Sequence, residues 1–553
     1  MDGPAPPDSI GGYADPEAVL STVEDASVSG GDPNTTGRRR FAAAVVSLTM
    51  TAVGSVVLSL PQVFAECGAV GGVAALAGFA ALTDASLVII ARAARAVDAR
   101  TYEQTVTRVV GPTGGKTLRI CLCVLLFGTL VSLQIIAADL AAPVVESLMY
   151  HDSAAGGFWS SRGVINVGVL ALVYPLSLLE NLSQLAAASS AAFFVMIGVA
   201  LVLVARFAEA GFPVAADVAL VGTDPRAIAL ALPVSALAYT CHFNVVEIAR
   251  EMRRPTNEAS DVSSDAASSE TSARDTLADA PGTDAREDAR EIEREEAERS
   301  TKTDEAMIRV VVWFAAFPFY AAFATVGYLG FGKGVSGDVL TEWIGDGEMA
   351  VAQIAVAAVN VLKYPLMGFA LRGVVVAAAD DAYARVVGAR ETRPAEIGDA
   401  RLTARLLRSP SAAAEDGVDG VLGASSAAGE SEREETGARA RLLYDSQKGK
   451  KSAPPLVRAA ALFAAHASVA SCAALLRRLA LVLDLVGATC GVTVAFIVPG
   501  CVLWCSLGNA PRELRADGGG AARLQSRVLA ATLVAAGVAT SACGVAAVAA
   551  EIA

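Results

Sequence analysis

The chain has 553 residues, of which 54% are hydrophobic and 18% charged, with a mean hydropathy of +0.49. Soluble globular proteins carry about a quarter charged residues, so this composition excludes most soluble enzymes and places the chain in lipid. A formal charge of -13 and a pI near 4.9 exclude a nucleic-acid partner, because no basic surface exists to displace phosphate counterions.

The first 37 residues are polar, with no basic segment leading into a short apolar one, and predict a disordered cytoplasmic tail without a cleavable signal. Apolar runs then occur near 41–65, 70–91, 118–142, 163–179, 184–206, 227–248, 308–331, 349–371, 457–476, 481–506 and 527–549. About 20 residues at 1.5 Å rise cover the ~30 Å hydrocarbon slab, so each run predicts one crossing helix. The expected fold is all-α and polytopic, with about eleven transmembrane helices: six in 38–252, two in 306–387 and three in 455–553. Their Ala, Gly and Ser content is that of helices packed backbone to backbone in lipid.

Between them, 253–305 and 388–454 have the composition of disordered cytoplasmic loops, the first strongly acidic. From Asn257 to Glu305 there are 16 acidic and six basic residues, so one loop holds most of the net charge. Its end, Ala289 to Glu298, is able to form a charged helix, although a solvated spacer is the simpler expectation. Such loops are also where cytoplasmic proteins would dock. Arg38 to Arg40, and Arg92, Arg95, Arg100, Arg108, Lys116 and Arg119 after the second run, predict a cytoplasmic N-terminus in a multi-pass protein. The intervening loops are acidic, except for Arg477 and Arg478.

Two runs are interrupted. The first reads Val53-Gly54-Ser55-Val56-Val57-Leu58-Ser59-Leu60-Pro61 near its centre, and the sixth Pro233-Val234-Ser235-Ala236-Leu237-Ala238-Tyr239-Thr240-Cys241-His242-Phe243-Asn244. Backbone groups freed there must bind something, and broken helices at matching positions of two halves point to a transporter's substrate site. The candidate substrate-binding residues are therefore Val53, Gly54, Ser55, Val56, Tyr239, Cys241, His242 and Asn244. The alternative is a proline kink whose Ser, Thr and His side chains pair with neighbouring helices. His242 is accordingly either a titrating group or a hydrogen-bonded packing residue.

The first-run pattern resembles the IGxGILxLP segment of the amino acid/auxin permease family, which includes sodium-coupled neutral amino acid transporters and plant vacuolar amino acid transporters. Leu82-Thr83-Asp84-Ala85-Ser86, Ile135 to Asp139, the sixth run through Glu251-Met252, Gly327 to Gly332, Tyr364-Pro365, Gly487-Ala488-Thr489 and Phe496 to Pro499 carry the resemblance onward in order. It implies a five-plus-five inverted repeat of the leucine-transporter type with an eleventh helix. It also implies a secondary active transporter of amino acids, of the neutral class, in a vacuolar or plasma membrane. Val56 stands where the family has its second glycine.

The resemblance further implies a sodium position between runs one and eight, where this chain has Met50 and Lys363. A thioether is a poor ligand for a hard cation and an ammonium group would fill its place, so sodium coupling is not expected. Lys363, with Thr49, Thr51, Asn360 and Asp84, forms the candidate charge relay. Lys363 either cycles its proton and couples transport to a proton gradient, or stays charged against a carbonyl or against Thr49, Thr51 or Ser55 and gives uniport. Asp84 either belongs to the relay or pairs with Arg92 at the interface. The nine cysteines lie in or beside apolar runs and the three histidines have no ligand spacing, so packing cysteines, no metal and no cofactor are expected. No enzyme activity is expected; the second functional reading is an amino acid sensor with little net flux.

Overall fold

The computed structural model describes residues 33–149, 158, 161–177, 183–209, 211, 214–253, 283–343, 349–406, 453–476, 479–508 and 520–552. Among these residues every regular element is helical. Most of the expected tail, 1–32, and the loop segments 254–282 and 407–452 lie outside the described residues.

The first apolar run forms α1 (Pro33–Ala52), a 3-10 turn (Ser55–Ser59) and α2 (Leu60–Cys67), bent by 51° at the break. Then follow α3 (Ala69–Ala96), the short α4 (Tyr102–Val109), α5 (Pro112–Met149), α6 (Arg162–Ser177) and α7 (Ser183–Glu209). The sixth run is split into α8 (Pro225–Ala238) and α9 (His242–Arg253). The chain continues as α10 (Thr283–Arg309), α11 (Phe317–Phe331), α12 (Met349–Leu406), α13 (Pro455–Leu475), α14 (Leu479–Val486), α15 (Val498–Gly508) and α16 (Gly520–Ile552). Among the described residues, seven spans are long and apolar enough to cross a bilayer, and the bent α1–α2 pair makes an eighth. The remaining expected crossings correspond to α6 and the start of α12, which are shorter apolar helices, and to α7. The protein is an integral, multi-pass membrane protein whose rim exposes Leu172, Phe194, Leu201, Phe314 and Val351, as a lipid-facing surface does.

The halves of the two interrupted spans cross over. The first half of span one, α1, packs on the second half of span six, α9, while α2 packs on α8. Each break therefore faces the other in the middle of the bundle. Tight turns hold α2 in place. Gly68 ends α2 at φ +78°, and Ala69 and Val70 donate to the carbonyls of Ala219 and Leu220 while Gly222 donates to Cys67. A β-carbon on Gly68 would lie 2.6 Å from the Val221 nitrogen, so both the dihedral and the space require glycine.

Composition led to the expectation of a solvated spacer up to residue 305, but the structure has one helix over Thr283–Arg309 running into the seventh span. The cause is lateral ionic anchoring at the face where the arginines collect, which is called the basic face below. Arg95 and Arg253 both reach the Asp304 carboxylate, at 2.6 and 3.0 Å, and Arg92 reaches Glu305 at 2.6 Å. Asp84 does not take Arg92, so the interfacial pairing considered for it is not the one formed. The backbone of α12 likewise continues as helix through 388–406.

Candidate functional site

At the first break Gly54 adopts φ -98° and ψ -171°, extended backbone between two helical pieces, and its amide turns back to Ala52 at 2.9 Å. Ser55 and Val56 begin the 3-10 turn, so their amides have no acceptor within it and point the positive end of a helix dipole into the bundle. At the second break Tyr239, Thr240 and Cys241 leave the α-helical ladder. Tyr239 and Thr240 donate to the carbonyls of Ala236 and Leu237, and Cys241 donates to Tyr239 at 2.9 Å.

The two breaks are stitched by a residue that sequence reasoning did not select. The Tyr320 hydroxyl, from α11, lies 2.8 Å from the carbonyl oxygens of both Ala52 and Ala238. One hydroxyl proton serves one carbonyl at a time, so the two carbonyls share it and retain acceptor capacity. The signal was weak because Phe319 and Tyr320 read as part of an apolar run. Tyr239 stacks edge-on against Tyr320 at 5.2 Å, and its own hydroxyl is buried without a partner.

A cavity of about 70 Å³ runs beside the breaks, room for several waters or the polar end of a small amino acid. Of the expected residues it brings together Thr51, Gly54, Val56 and Lys363, and it adds Thr240, Phe243, Thr129, Ser132 and Met367. Gly128 lets α5 approach α14 at this level, since a β-carbon there would meet Val486 at 2.3 Å. No atom within 4 Å faces a β-carbon built on Gly54, so its open side is the cavity.

Lys363 is 5% exposed and points its ammonium at the Val53 carbonyl, 3.2 Å away. Val53 itself is buried and its amide stays in α1, on Thr49. The Thr49 and Thr51 hydroxyls donate to their own helix, to Val45 and Ser47, and Thr51 also accepts from the Asn244 amide at 3.3 Å. Asn360 is buried one turn before Lys363, with an amide nitrogen that has no partner. The Ser55 side chain lies outside what is described.

Three expected residues are elsewhere. His242 turns its Nε2 to the Ser86 hydroxyl of α3 at 2.7 Å and does not line the cavity. Cys241 is buried beside it, facing protein. Asp84 is half-buried on α3, near Trp313, Arg309 and Glu305 of the seventh span, and does not line the cavity.

The tenth span is also irregular, as is the seventh, which has a π-helical turn over Val310–Ala316. The tenth runs through π-helical turns over Gly487–Gly491 and Thr493–Ile497 before Pro499, and the buried Tyr102 hydroxyl of α4 donates to the Val494 carbonyl at 2.9 Å. π-turns are frequent at functional sites because they leave main-chain groups for other partners. Among the described residues no cluster of His, Cys, Asp or Glu has the geometry of a metal site.

The family described as transmembrane amino acid transporter protein matches residues 38–268 and 292–546. Similar proteins include the amino acid transporter AVT6E of Arabidopsis thaliana, 28% identical over 38% of this chain and 44% of that one. The sodium-coupled neutral amino acid transporter 7 of Rattus norvegicus is 25% identical over 42% of this chain and 51% of its own. The vacuolar amino acid transporter 6 of Saccharomyces cerevisiae is 24% identical over 58% and 62%. The chain thus spans about half the length of the first of these curated relatives. In structure it is similar to a Na+-coupled sialic acid symporter in a substrate-bound outward-open state, at a TM-score of 0.34 and 9% identity over 92% of this chain and 97% of that one, too distant to bear on the fold.

Proposed function

Because the chain belongs to the transmembrane amino acid transporter protein family, we propose that it carries amino acids across a membrane by alternating access at the facing breaks of spans one and six. The observation that carries this reading is that opposite backbone charges are left at the two breaks, beside a cavity lined by Ala52, Gly54, Val56 and Thr240. Amides at Ser55 and Val56 suit a carboxylate, while the Ala52 and Ala238 carbonyls, shared by one hydroxyl, suit an ammonium group. No covalent step is required, and the activity is transport rather than catalysis. The backbone groups recognise the main-chain ends of the substrate and set no limit on its side chain.

Coupling is to protons, or absent, rather than to sodium. Lys363 supports this by placing a cation on the Val53 carbonyl, and Met50 lines the same cavity with a thioether. The arginine distribution supports a cytoplasmic basic face, and the vacuolar name of one relative supports an internal membrane as readily as the cell surface. The cytoplasmic loops are the places where other proteins would dock.

Counterflow tests the reading. Purified protein in liposomes preloaded with an unlabelled amino acid mixture is expected to concentrate labelled amino acid transiently. Saturable binding with no exchange would replace the transporter by the sensor.

A further inference from the structure

On the face opposite the arginines, a cavity of about 660 Å³ opens between α2, α8, α14 and the loop that follows α11. Among the described residues its wall carries five carboxylates, Glu66, Asp139, Asp224, Asp338 and Asp484, and a single guanidinium, Arg226. Low-dielectric walls lined by one sign of charge concentrate counter-ions, but acidic residues alone make no site. The second observation is Asp338. It is 5% exposed, its Oδ1 accepts the Leu340 amide at 3.0 Å, and its Oδ2 is buried with no partner.

The other carboxylates differ from it. Asp139 is ion-paired with Arg162, and Asp224 caps α8 by accepting the Arg226 amide at 2.9 Å. Asp338 is also held rigidly. Its carbonyl accepts from the hydroxyls of Ser336 and Thr341, and the preceding Gly337 carbonyl accepts the Ser59 hydroxyl of span one at 2.5 Å. The loop carrying the unpartnered oxygen is therefore tied to the segment just beyond the Gly54 break. Such a fixed, desolvated acceptor lacks a donor, and a planar or compact cation supplies one.

We propose that this cavity is a selectivity vestibule for amino acids whose side chains bear a guanidinium or ammonium group, with Asp338 as the acceptor for that cation. The inference rests on the transport reading and names its substrate class, cationic in place of the neutral class that the resemblance implied. The vestibule starts about one helical turn outward of the breaks, since Val234 in its wall precedes Ala238 by four residues of α8. The two cavities share no lining residue, so the vestibule receives the cationic side chain on the substrate's way to the breaks.

The full chain in liposomes decides it with arginine and its uncharged isostere citrulline. Wild type is expected to exchange labelled arginine at least tenfold faster than citrulline at pH 7.5, Asp338→Asn to bring the ratio to within twofold of unity, and Asp338→Glu to restore most of it. A wild-type ratio near or below one, or an Asp338→Asn ratio like wild type, overturns the vestibule and leaves amino acid transport standing. Absence of exchange for every amino acid overturns the transport reading instead. The vestibule is then judged in detergent, where thermal stabilisation by arginine and not citrulline, lost in Asp338→Asn, supports it, and equal shifts overturn it.

Discussion

The Lys363 ammonium sits 3.2 Å from the carbonyl oxygen of Val53, the last residue before the Gly54 break. A carbonyl at a broken helix end needs a donor, and here the donor is an ionisable side chain from another span. Any event that removes the lysine's proton or moves its tip alters the partner of span one. Lys363→Met keeps the aliphatic length and deletes the charge. Uptake driven by an imposed inward proton gradient is expected to fall at least tenfold, while exchange without a gradient persists at a reduced rate. The variant also leaves the Val53 carbonyl without its donor, at about 1–3 kcal/mol of stability. If wild-type flux is the same with and without the gradient, the lysine is a fixed charge and the protein a uniporter.

Tyr320 performs the corresponding service for two carbonyls in turn. Tyr320→Phe removes one hydroxyl and leaves the buried Ala52 and Ala238 oxygens with no side-chain donor, a cost of about 1–3 kcal/mol. Because both oxygens flank the proposed ammonium position, a lower apparent affinity is expected together with the lower unfolding temperature. Saturating substrate is expected to recover part of that temperature loss by mass action. A stability loss that substrate does not reduce would make Tyr320 a packing residue alone.

The interrupted spans were legible because Gly54, Pro61 and Pro233 are expensive inside an apolar helix, and the polar string from Tyr239 to Asn244 stands out against its flanks. Lys363 was legible for the same reason. What could not be read was direction. Nothing in the spacing of His242 says that it turns to Ser86, or that Asp84 faces Trp313, because helix rotation is set by packing partners far away in sequence. Tyr320 was hidden by its apolar neighbours, and the helix over Thr283–Arg309 by a composition that resembles disorder until Arg95 and Arg253 supply its partners. The vestibule required the third dimension, since its carboxylates come from five separate segments.

Asp304 is the node of the basic face. Its side chain is 4% exposed while Arg95 and Arg253 are 21% and 29% exposed, so two partly buried guanidinium groups depend on one carboxylate. Asp304→Ala strips both partners and is expected to destabilise the protein by about 3 kcal/mol, the range for breaking a buried pair. Asp304→Asn retains acceptors for hydrogen bonds and is expected to lose less. Detergent unfolding of both variants beside Glu305→Ala checks this. Its partner Arg92 is 60% exposed, so the loss there should stay below about 1 kcal/mol.

The pH dependence of stability follows from Asp338. Burial, with the nearby charges of Asp139 and Glu342 adding to it, pushes its carboxyl from 3.8 up to about 7, against the Leu340 amide, which favours the ionised form. Between pH 4 and 7 the unfolded chain has lost this proton and the folded protein still holds it. Stability therefore falls as pH rises through that window, by at most about 1.4 kcal/mol per unit, and stops falling once both states are ionised. Asp338→Asn cannot ionise and keeps an oxygen for the Leu340 amide. It is expected to match wild type in unfolding temperature at pH 4 and to exceed it at pH 8. A bound cation would favour the ionised carboxylate, so saturating arginine should flatten the wild-type slope and leave that of the variant unchanged. Parallel pH curves for the two proteins would mean that the Asp338 carboxyl ionises in the folded protein as it does in the unfolded chain.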